Sequence, residues 1–474
     1  MSALIGAART PVSLRTYRLA KEYVTRMEDF GGLIFNKKTG WILRVNPTGA
    51  FIANILSNDE LPYPIVISQV KQAFGLLTDN QESAISTYLE QLEDAGIVER
   101  GVCDPERHSY KCLGTNTLPN QVFAEESSTA SFLRAPLSVW WDITSICNLK
   151  CKQCYSSSGK KLADELSTNE VYKILDDLAS MKVFYIHFLG GEPFARKDFL
   201  KILERCQLLG LGVMISTNGW FFNDKLAREV VRLGVRHVRV SIDGSCEATH
   251  DEIRGVSGSF NRAVTAVKLL KRVGMPLVGI GPTIMKENFA EAEAMIDLAA
   301  SLGADEIQLD QVCKVGRGTS VEELGTEEHL SLIKLINDKT DQYGECLLIS
   351  APEGTWERKP FLGDVKSGTV FPDIMGCGAG RTCLAIAANG KVRACLFYRD
   401  YEVGDLRQTR FHDIWMGNGN ARVEWLRRAK DGCVGCTYET ACSGPCPMQE
   451  INSSTERAQF VNNYDGEKRC LMNL

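Results

Sequence analysis

The chain has 474 residues, 44% of them hydrophobic and 24% charged, a globular composition with length for two to four domains. Its 54 Lys and Arg against 59 Asp and Glu leave a net charge of −5, which argues against a basic protein built to hold nucleic acid. No uncharged apolar run is long enough to predict a membrane span, and MSALIGAARTPVSLR lacks the basic-then-apolar order of a secretory signal, so the expected location is cytoplasmic, with neither nucleic acid nor membrane as partner.

Residues 1–19 read as a loose tail. Residues 20–101 read as a small domain. LIFNKKTGWILRVN (33–46) alternates as a β-hairpin around Lys37-Lys38-Thr39-Gly40, and Pro47-Thr48-Gly49 opens a short helix. Two further segments, PIVISQVKQAFG and NQESAISTYLEQLEDAGIVE, carry helical spacing, the second stopping at Gly96. Two strands, three helices and a returning strand at Ile97-Val98 make a winged-helix-like order. Residues 102–135 lack sustained periodicity and read as a linker.

From 136 to 350 the pattern changes to short apolar runs alternating with amphipathic segments. The runs are LSVWWDIT, VFYIHFLG, LGVMIST, VRHVRVSID, PLVGIGPTIM and DEIQLDQV. Six β–α repeats predict an α/β fold with a parallel sheet or a partial (β/α)6 TIM barrel. Residues 351–474 lose this rhythm and are rich in Gly and Cys, so something other than a large core is expected to hold them together.

Seventeen cysteines are many for a chain with no mark of secretion, and clustered thiols in a reducing compartment read first as metal ligands. Cys147, Cys151 and Cys154 follow the first strand of the repeat region as C-x3-C-x2-C. Three thiolates on one loop suit three irons of a cubane, leaving the fourth iron open for a ligand. A zinc knuckle would need a fourth ligand, and this loop offers none. Gly190-Gly191-Glu192-Pro193 follows the second strand, Ser216-Thr217-Asn218-Gly219 the third and Ser241-Ile242-Asp243-Gly244 the fourth, with His250 to Gly255 beyond. Motifs at successive strand ends stand where β/α barrels place ligands. Glycines permit close backbone approach, and a carboxylate pairs with an ammonium.

These motifs resemble the radical S-adenosylmethionine enzymes. The resemblance implies a catalytic [4Fe–4S] cluster on Cys147, Cys151 and Cys154. It implies S-adenosylmethionine bound by Gly190, Gly191, Glu192, Pro193, Ser216, Asn218, Ser241, Asp243 and Arg254, with Glu192 at the cofactor ammonium and Arg254 at its carboxylate. It also implies an electron donor such as flavodoxin or ferredoxin, and anoxic working conditions. Val315-Gly316-Arg317-Gly318, after the sixth strand, reads either as a turn or as a place where Arg317 meets substrate.

Eight further cysteines, Cys377, Cys383, Cys395, Cys433, Cys436, Cys442, Cys446 and Cys470, resemble the SPASM pattern. That resemblance implies two auxiliary [4Fe–4S] clusters, one on Cys377, Cys383, Cys395 and Cys446, the other on Cys433, Cys436, Cys442 and Cys470, and three clusters in all. Two zinc sites are the alternative. Cys103, Cys112, Cys206, Cys246, Cys313 and Cys346 remain, expected as buried spare thiols. The 20–101 segment resembles the PqqD-like recognition element of ribosomal peptide biosynthesis, on Gly40-Trp41-Ile42-Leu43-Arg44-Val45-Asn46, Pro47 to Ala50 and Leu92 to Ile97. It implies capture of a leader peptide as an added strand; a DNA-binding winged helix is the alternative, although no helix has a dense basic face.

Together the modules resemble a maturase of a ribosomally made precursor peptide. A thioether from a Cys sulfur to carbon is the first expected product, then a carbon–carbon crosslink, with epimerisation and backbone excision also open. A sulfatase-type maturase would want a carboxylate directly after Cys395, where this chain has Leu396. A non-catalytic iron–sulfur carrier or peptide-binding partner would leave the cofactor motifs unexplained.

Overall fold

The computed structural model describes residues 15–37, 42–75, 77–102, 133–350, 378–399 and 401–417. The chain divides between Arg134 and Ala135 into two compact units, the second extending to the C-terminus.

The first unit holds β1 (Arg15–Leu19), β2 (Tyr23–Glu28), β3 (Gly31–Asn36), β4 (Ile42–Val45), α1 (Pro47–Leu56), β5 (Leu61–Pro62), α2 (Tyr63–Phe74), α3 (Asp79–Asp94) and β6 (Val98–Val102). β2, β3 and β4 form an antiparallel meander, and β1 lies between β5 and β6 in a second small sheet. Local chemistry sets the helix starts. The Asn46 side chain accepts from Gly49 N at 2.8 Å with Pro47 at the first turn, and Thr78 and Gln81 form a capping box. Apolar faces of the helices meet the strands through Ile34, Ile52, Leu56, Val66, Val70 and Leu89, each 1% exposed or less. Each such side chain is worth about 1.5–3 kcal/mol of burial.

β1 corrects the sequence reading of a tail over residues 1–19. Its five residues pair with β6 from Arg15↔Val102 to Leu19↔Val98, and Tyr17 is fully buried. The two arginines of RTYRL conceal a strand whose partner lies some eighty residues later. β2 also went unread, since its sequence YVTRME carries three polar residues.

The second unit is built on β7 (Ser138–Thr144), α4 (Thr168–Ser180), β8 (Tyr185–Gly190), α5 (Phe199–Leu208), β9 (Gly212–Thr217), α6 (Asp224–Arg232), β10 (His237–Val240), α7 (Glu247–Arg254), α8 (Ser259–Arg272), β11 (Leu277–Ile280), β12 (Thr283–Ile284), α9 (Ala292–Ser301), β13 (Glu306–Gln308), β14 (Asp310–Gln311), α10 (Thr326–Tyr343) and β15 (Leu348–Ser350). β16 (Cys383–Ile386), β17 (Lys391–Arg393), β18 (Glu402–Asp405) and α11 (Phe411–Met416) follow. The large sheet runs β15-β13-β11-β10-β9-β8-β7-β16-β17-β18. Strands β7 to β15 are parallel and neighbours follow chain order.

Side chains alternate across this sheet. Val139, Trp141, Ile186, Phe188, Ile215, Val238, Val240, Val278 and Ile307 are fully buried. On the other face the register sets His187 beside Trp140 and Met214, Arg239 beside Ser216 and Gly279, and Gly279 beside Glu306. One face is therefore apolar, and the other carries the polar side chains His187, Arg239 and Glu306 among Trp140, Met214 and Gly279. The Cys-rich C-terminal region also contributes to this sheet: β16 adds to β7 in parallel, from Cys383↔Ser138 to Ile386↔Trp141.

Candidate active site

The loop leaving β7 carries Cys147, Cys151 and Cys154 and is clamped on three sides. It closes on itself through Cys147 N to Gly159 O (3.0 Å) and Gly159 N to Ser145 O (2.9 Å). The end of α7 holds a second side, with Lys150 N donating to Arg254 O at 3.1 Å and Lys152 N to Ile253 O at 2.9 Å. The third clamp is Arg317, whose Nε donates to Cys151 O (2.8 Å) and Nη1 to Ser158 O (3.0 Å). Gly316 must be glycine here: its φ is +61°, and a Cβ would lie 2.3 Å from the Tyr155 carbonyl oxygen. The Val315–Gly318 turn thus buttresses the loop, with the Arg317 guanidinium spent on main-chain carbonyls.

Of the three thiols Cys151 is buried, and Cys147 and Cys154 are half-buried. Burial raises Cys147 to about 12 and Cys151 above its ordinary value, while the Arg254 guanidinium, 3.6 Å from the Cys151 sulfur, opposes the latter shift. Bare thiols so placed are inert; a bound metal would deprotonate them and supply the missing positive charge. Among the described residues no three His, Cys, Asp or Glu side chains gather around a single-ion position. Three thiols on one rigid loop fit a cluster that takes each on a different iron.

Glu192 sits beside this loop. Gly191 approaches it so closely that a Cβ would lie 2.1 Å from the Ile146 carbonyl oxygen, and Glu192 N donates to that oxygen at 2.7 Å. The Glu192 carboxylate is fully buried. It accepts from Asn218 N (2.7 Å), Thr217 Oγ1 (2.8 Å) and Phe194 N (3.2 Å), the last at the turn begun by Pro193. Burial raises its pKa to about 7 despite these donors. The Asn218 amide bridges onward, donating to Asn148 Oδ1 at 2.9 Å and standing 3.9 Å from the Cys147 sulfur. A buried carboxylate served by neutral donors fits the ammonium of a bound S-adenosylmethionine. Thr217 and Asn148 belong to this network although the sequence motifs did not single out their side chains.

Asp243 and Arg254 were each read as a cofactor contact, and the structure pairs them with each other, Arg254 Nε standing 2.6 Å from Asp243 Oδ2. Gln153 also donates to Asp243, Thr283 N donates to its other oxygen at 2.8 Å, and Asp243 N donates to His250 Nδ1 at 3.1 Å. Burial alone would lower Arg254, but Asp243 and Cys151 hold it above its ordinary value. Ser216 is turned to the polar face, its hydroxyl 2.8 Å from His187 Nε2. Ser241 is half-buried at the end of β10, its N–H donating to Thr217 O at 2.9 Å. Gly190, with φ of +112°, lets β8 turn into the Glu192 segment.

Tyr155, next to the third cysteine, donates its hydroxyl to Asp142 at 2.6 Å and meets Phe397 edge-on at 5.3 Å between ring centroids. Burial raises the Asp142 carboxyl. Of the C-terminal cysteines, Cys383 opens β16 and Cys395 follows β17. The hairpin ladder between β16 and β17 runs from Ile386↔Val392 to Ala385↔Arg393, and the chain bends at Cys395 beyond it. Cys377, Cys433, Cys436, Cys442, Cys446 and Cys470 lie outside the described residues, as do Cys103 and Cys112. Among the other spare cysteines only Cys206 is buried; Cys313 is half-buried, and Cys246 and Cys346 are exposed, correcting the expectation that all are hidden.

Residues 141–299 match the Radical SAM superfamily and residues 377–443 an iron–sulfur cluster-binding domain, SPASM. The mycofactocin maturase MftC of Mycobacterium tuberculosis is 31% identical over 322 residues, 66% of this chain and 79% of that protein. The chain belongs to the radical SAM superfamily. Other radical SAM relatives include the Fe-coproporphyrin III synthase of Methanosarcina barkeri, 30% identical over 328 residues, 65% of this chain and 82% of that protein. The crystal structure of Streptococcus suis SuiB bound to the precursor peptide SuiA matches with a TM-score of 0.66 at 18% identity, covering 92% of this chain and 97% of that one. Native anSMEcpe with bound AdoMet matches at 0.53 and 18% identity, covering 66% of this chain and 90% of that one. These likenesses show the radical SAM α/β fold. The superfamily and SPASM matches imply S-adenosylmethionine and iron–sulfur clusters. No helix among the described residues is long and apolar enough to cross a membrane.

Proposed function

We propose that this radical SAM enzyme matures a ribosomally made precursor peptide by abstracting a hydrogen atom from it. The observation that carries the reading is the buried Glu192 carboxylate, held by neutral donors and joined through Asn218 and Asn148 to the loop bearing Cys147, Cys151 and Cys154. When bound there, cluster and cofactor supply a 5′-deoxyadenosyl radical. The residues' part is placement. Cys147, Cys151 and Cys154 hold the cluster; Glu192 takes the cofactor ammonium, with Gly190, Gly191 and Pro193 shaping the approach and Asn218, Ser216 and Ser241 around it. Arg254 and Asp243 act as a pair that sets the charge beside Cys151. The polar face of the sheet, with His187, Arg239 and Glu306, is the surface offered to the substrate.

In this reading residues 136–350 form a partial (β/α)6 barrel, and residues 351–474 a SPASM domain whose eight cysteines hold two auxiliary clusters, three clusters in all. Residues 20–101 form a winged-helix-like, PqqD-like domain that grips the leader, joined by the 102–135 linker, and a flavodoxin or ferredoxin supplies electrons. The thioether remains the preferred product. MftC and the SuiB–SuiA complex, which name a maturase and a precursor peptide, support the substrate class. Leu396 packs with Leu189 and Ala385 in a small apolar cluster, so the position after Cys395 offers no base for a sulfatase-type reaction.

A tetrapyrrole substrate is the second reading, favoured by the Fe-coproporphyrin III synthase and heme synthase relatives. The additional first unit, for which a tetrapyrrole gives no use, favours the peptide. The test is anaerobic reconstitution, reduction with dithionite and measurement of 5′-deoxyadenosine, for wild type and for the variant with all three loop cysteines changed to Ala. Mass spectrometry then follows the precursor peptide or an iron porphyrin. Cleavage in the triple variant would remove the cluster assignment. Conversion of porphyrin and not peptide would select the second reading.

A further inference from the structure

A cleft of about 790 Å³ opens against the cluster loop, lined by Lys150, Lys152, Lys286, Glu287, Arg317, Ser320, Val321 and Glu322. None of these residues belongs to the Glu192–Asn218 network or to the polar face of the sheet, so the cleft is a separate feature of the unit. Its lining has four cations and two carboxylates, a positive surface on a chain of net charge −5. Lys152 is committed to Glu252 (2.9 Å) and Glu287 (2.7 Å), and Arg317 to the loop carbonyls. Lys150 and Lys286 are exposed, with no side-chain partner recorded among the described residues.

Position gives the cleft a use. Lys150 and Lys152 flank Cys151 in sequence, and Arg317 Nε donates to the Cys151 carbonyl at 2.8 Å. The cleft is thus lined in part by the very loop that would hold the cluster. Electron transfer weakens steeply with distance, so a protein reductant must dock close to the loop that bears the thiolates. On an acidic chain, an acidic carrier is repelled by the whole and needs a local cationic landing site, which raises encounter rate and fixes orientation.

We propose that this cleft is the docking surface for an acidic one-electron carrier protein of the flavodoxin class, with Lys150 and Lys286 as its free contacts. The proposal rests on the reading of Cys147, Cys151 and Cys154 as cluster ligands. In the step itself an anionic flavin hydroquinone gives up one electron to become the neutral semiquinone, and the cluster is reduced by one; no bond or proton is exchanged.

The test compares wild-type holoenzyme with K150E/K286E, which leaves the three thiols, Glu192 and Arg317 in place. Cofactor cleavage is driven either by dithionite or by photoreduced flavodoxin, and binding of oxidised flavodoxin is measured by titration calorimetry. Dithionite-driven cleavage should be equal in both proteins. The variant should lose about tenfold or more in flavodoxin-driven kcat/KM and in flavodoxin affinity at low salt. Both wild-type values should fall between about 0.01 M and about 0.15 M salt, as the screening length shrinks from about 30 Å to about 8 Å, and those of the variant should change little. Equal flavodoxin rates and affinities in the two proteins would overturn the docking site alone. A proportional loss with dithionite would also overturn it, since the lysines would then be supporting the loop. No dithionite-driven cleavage in wild type would overturn the cluster reading, and the docking proposal with it.

Discussion

Arg254 Nε lies 2.6 Å from the Asp243 carboxylate, and Arg254 Nη1 lies 3.6 Å from the Cys151 sulfur. The guanidinium therefore joins two loops at the base of the site. Asp243 is fully buried, so Arg254→Ala would strand its charge, at a cost of about 3–5 kcal/mol. The expected result is a lowered melting temperature before any metal is added and poor iron retention after reconstitution. Calorimetry and iron analysis measure the two. A variant with wild-type stability and iron, but weak cofactor binding, would instead return Arg254 to the cofactor carboxylate.

With Glu192 at the cofactor ammonium, as proposed, cofactor binding should depend on pH. The carboxyl's ordinary value of 4.5 is raised to about 7 by burial, which outweighs the donors around it. A carboxyl raised on folding contributes stability that is present below its unfolded value and is lost as pH rises through the folded one. Without cofactor, the protein should therefore lose stability between about pH 4.5 and 7 from this group. Cofactor binding should run the other way, because the ammonium needs the carboxylate. Affinity should fall by up to tenfold per pH unit below about 7. Glu192→Gln should bind more weakly and lose that slope. Equilibrium dialysis of S-adenosylmethionine across pH decides it, and a wild-type slope retained in the Gln variant would assign the titration elsewhere.

Gly316 tests the clamp on the cysteine loop. A Cβ there would lie 2.3 Å from the Tyr155 oxygen and 2.6 Å from the Cys154 oxygen, both backbone atoms that cannot rotate away. Gly316→Ala should push the Arg317 turn off the loop and lower the iron bound at Cys147, Cys151 and Cys154. A C383A/C395A/C433A/C436A background, which takes ligands from both proposed auxiliary clusters, isolates the change, read as iron per chain and as the visible absorbance of the reconstituted protein. Full iron occupancy in Gly316→Ala would show that the loop holds its form without the buttress.

The six β–α strands are readable in the sequence because each sets buried apolar residues at alternate positions, as Ile186 and Phe188 in VFYIHFLG and Val238 and Val240 in VRHVRVSID. The cysteine loop and the Gly190–Pro193 turn were readable because each places its chemistry within a few consecutive residues. What the sequence concealed depends on distant partners. β16 joins β7 across more than two hundred residues, and β15, three residues long, is too short for periodicity to register. Arg254 and Asp243 each resemble a ligand group when viewed alone; only the fold shows that they also pair with one another. Arg317 was ambiguous for the same reason, since its acceptors are backbone carbonyls, which leave no trace in the side-chain code.

The last prediction concerns how the first unit would take a leader peptide. β4 pairs with β3 from Ile42↔Phe35 to Val45↔Gly32, and among the described residues no strand covers its other side. An open strand edge is a template for an added strand. Successive backbone N–H groups on a strand point to opposite sides, so Ile42 and Arg44 share one direction and Leu43 has the other. Proline removes the N–H, so Leu43→Pro and Arg44→Pro should separate two effects. The variant whose N–H serves the β3 ladder should lower the melting temperature of the protein. The variant whose N–H faces outward should fold normally and bind the leader more weakly. Arg44 also stacks over the Phe30 ring at 4.3 Å, so Arg44→Ala is the control for that lost contact. Fluorescence anisotropy with a labelled leader peptide gives the affinities. Deleting residues 1–102, β1 included, should slow processing of full-length precursor through loss of effective concentration, while leaving dithionite-driven cofactor cleavage without substrate intact. Wild-type leader affinity in whichever proline variant keeps its stability, or tight sequence-specific DNA binding by the protein, would overturn the assignment of this edge.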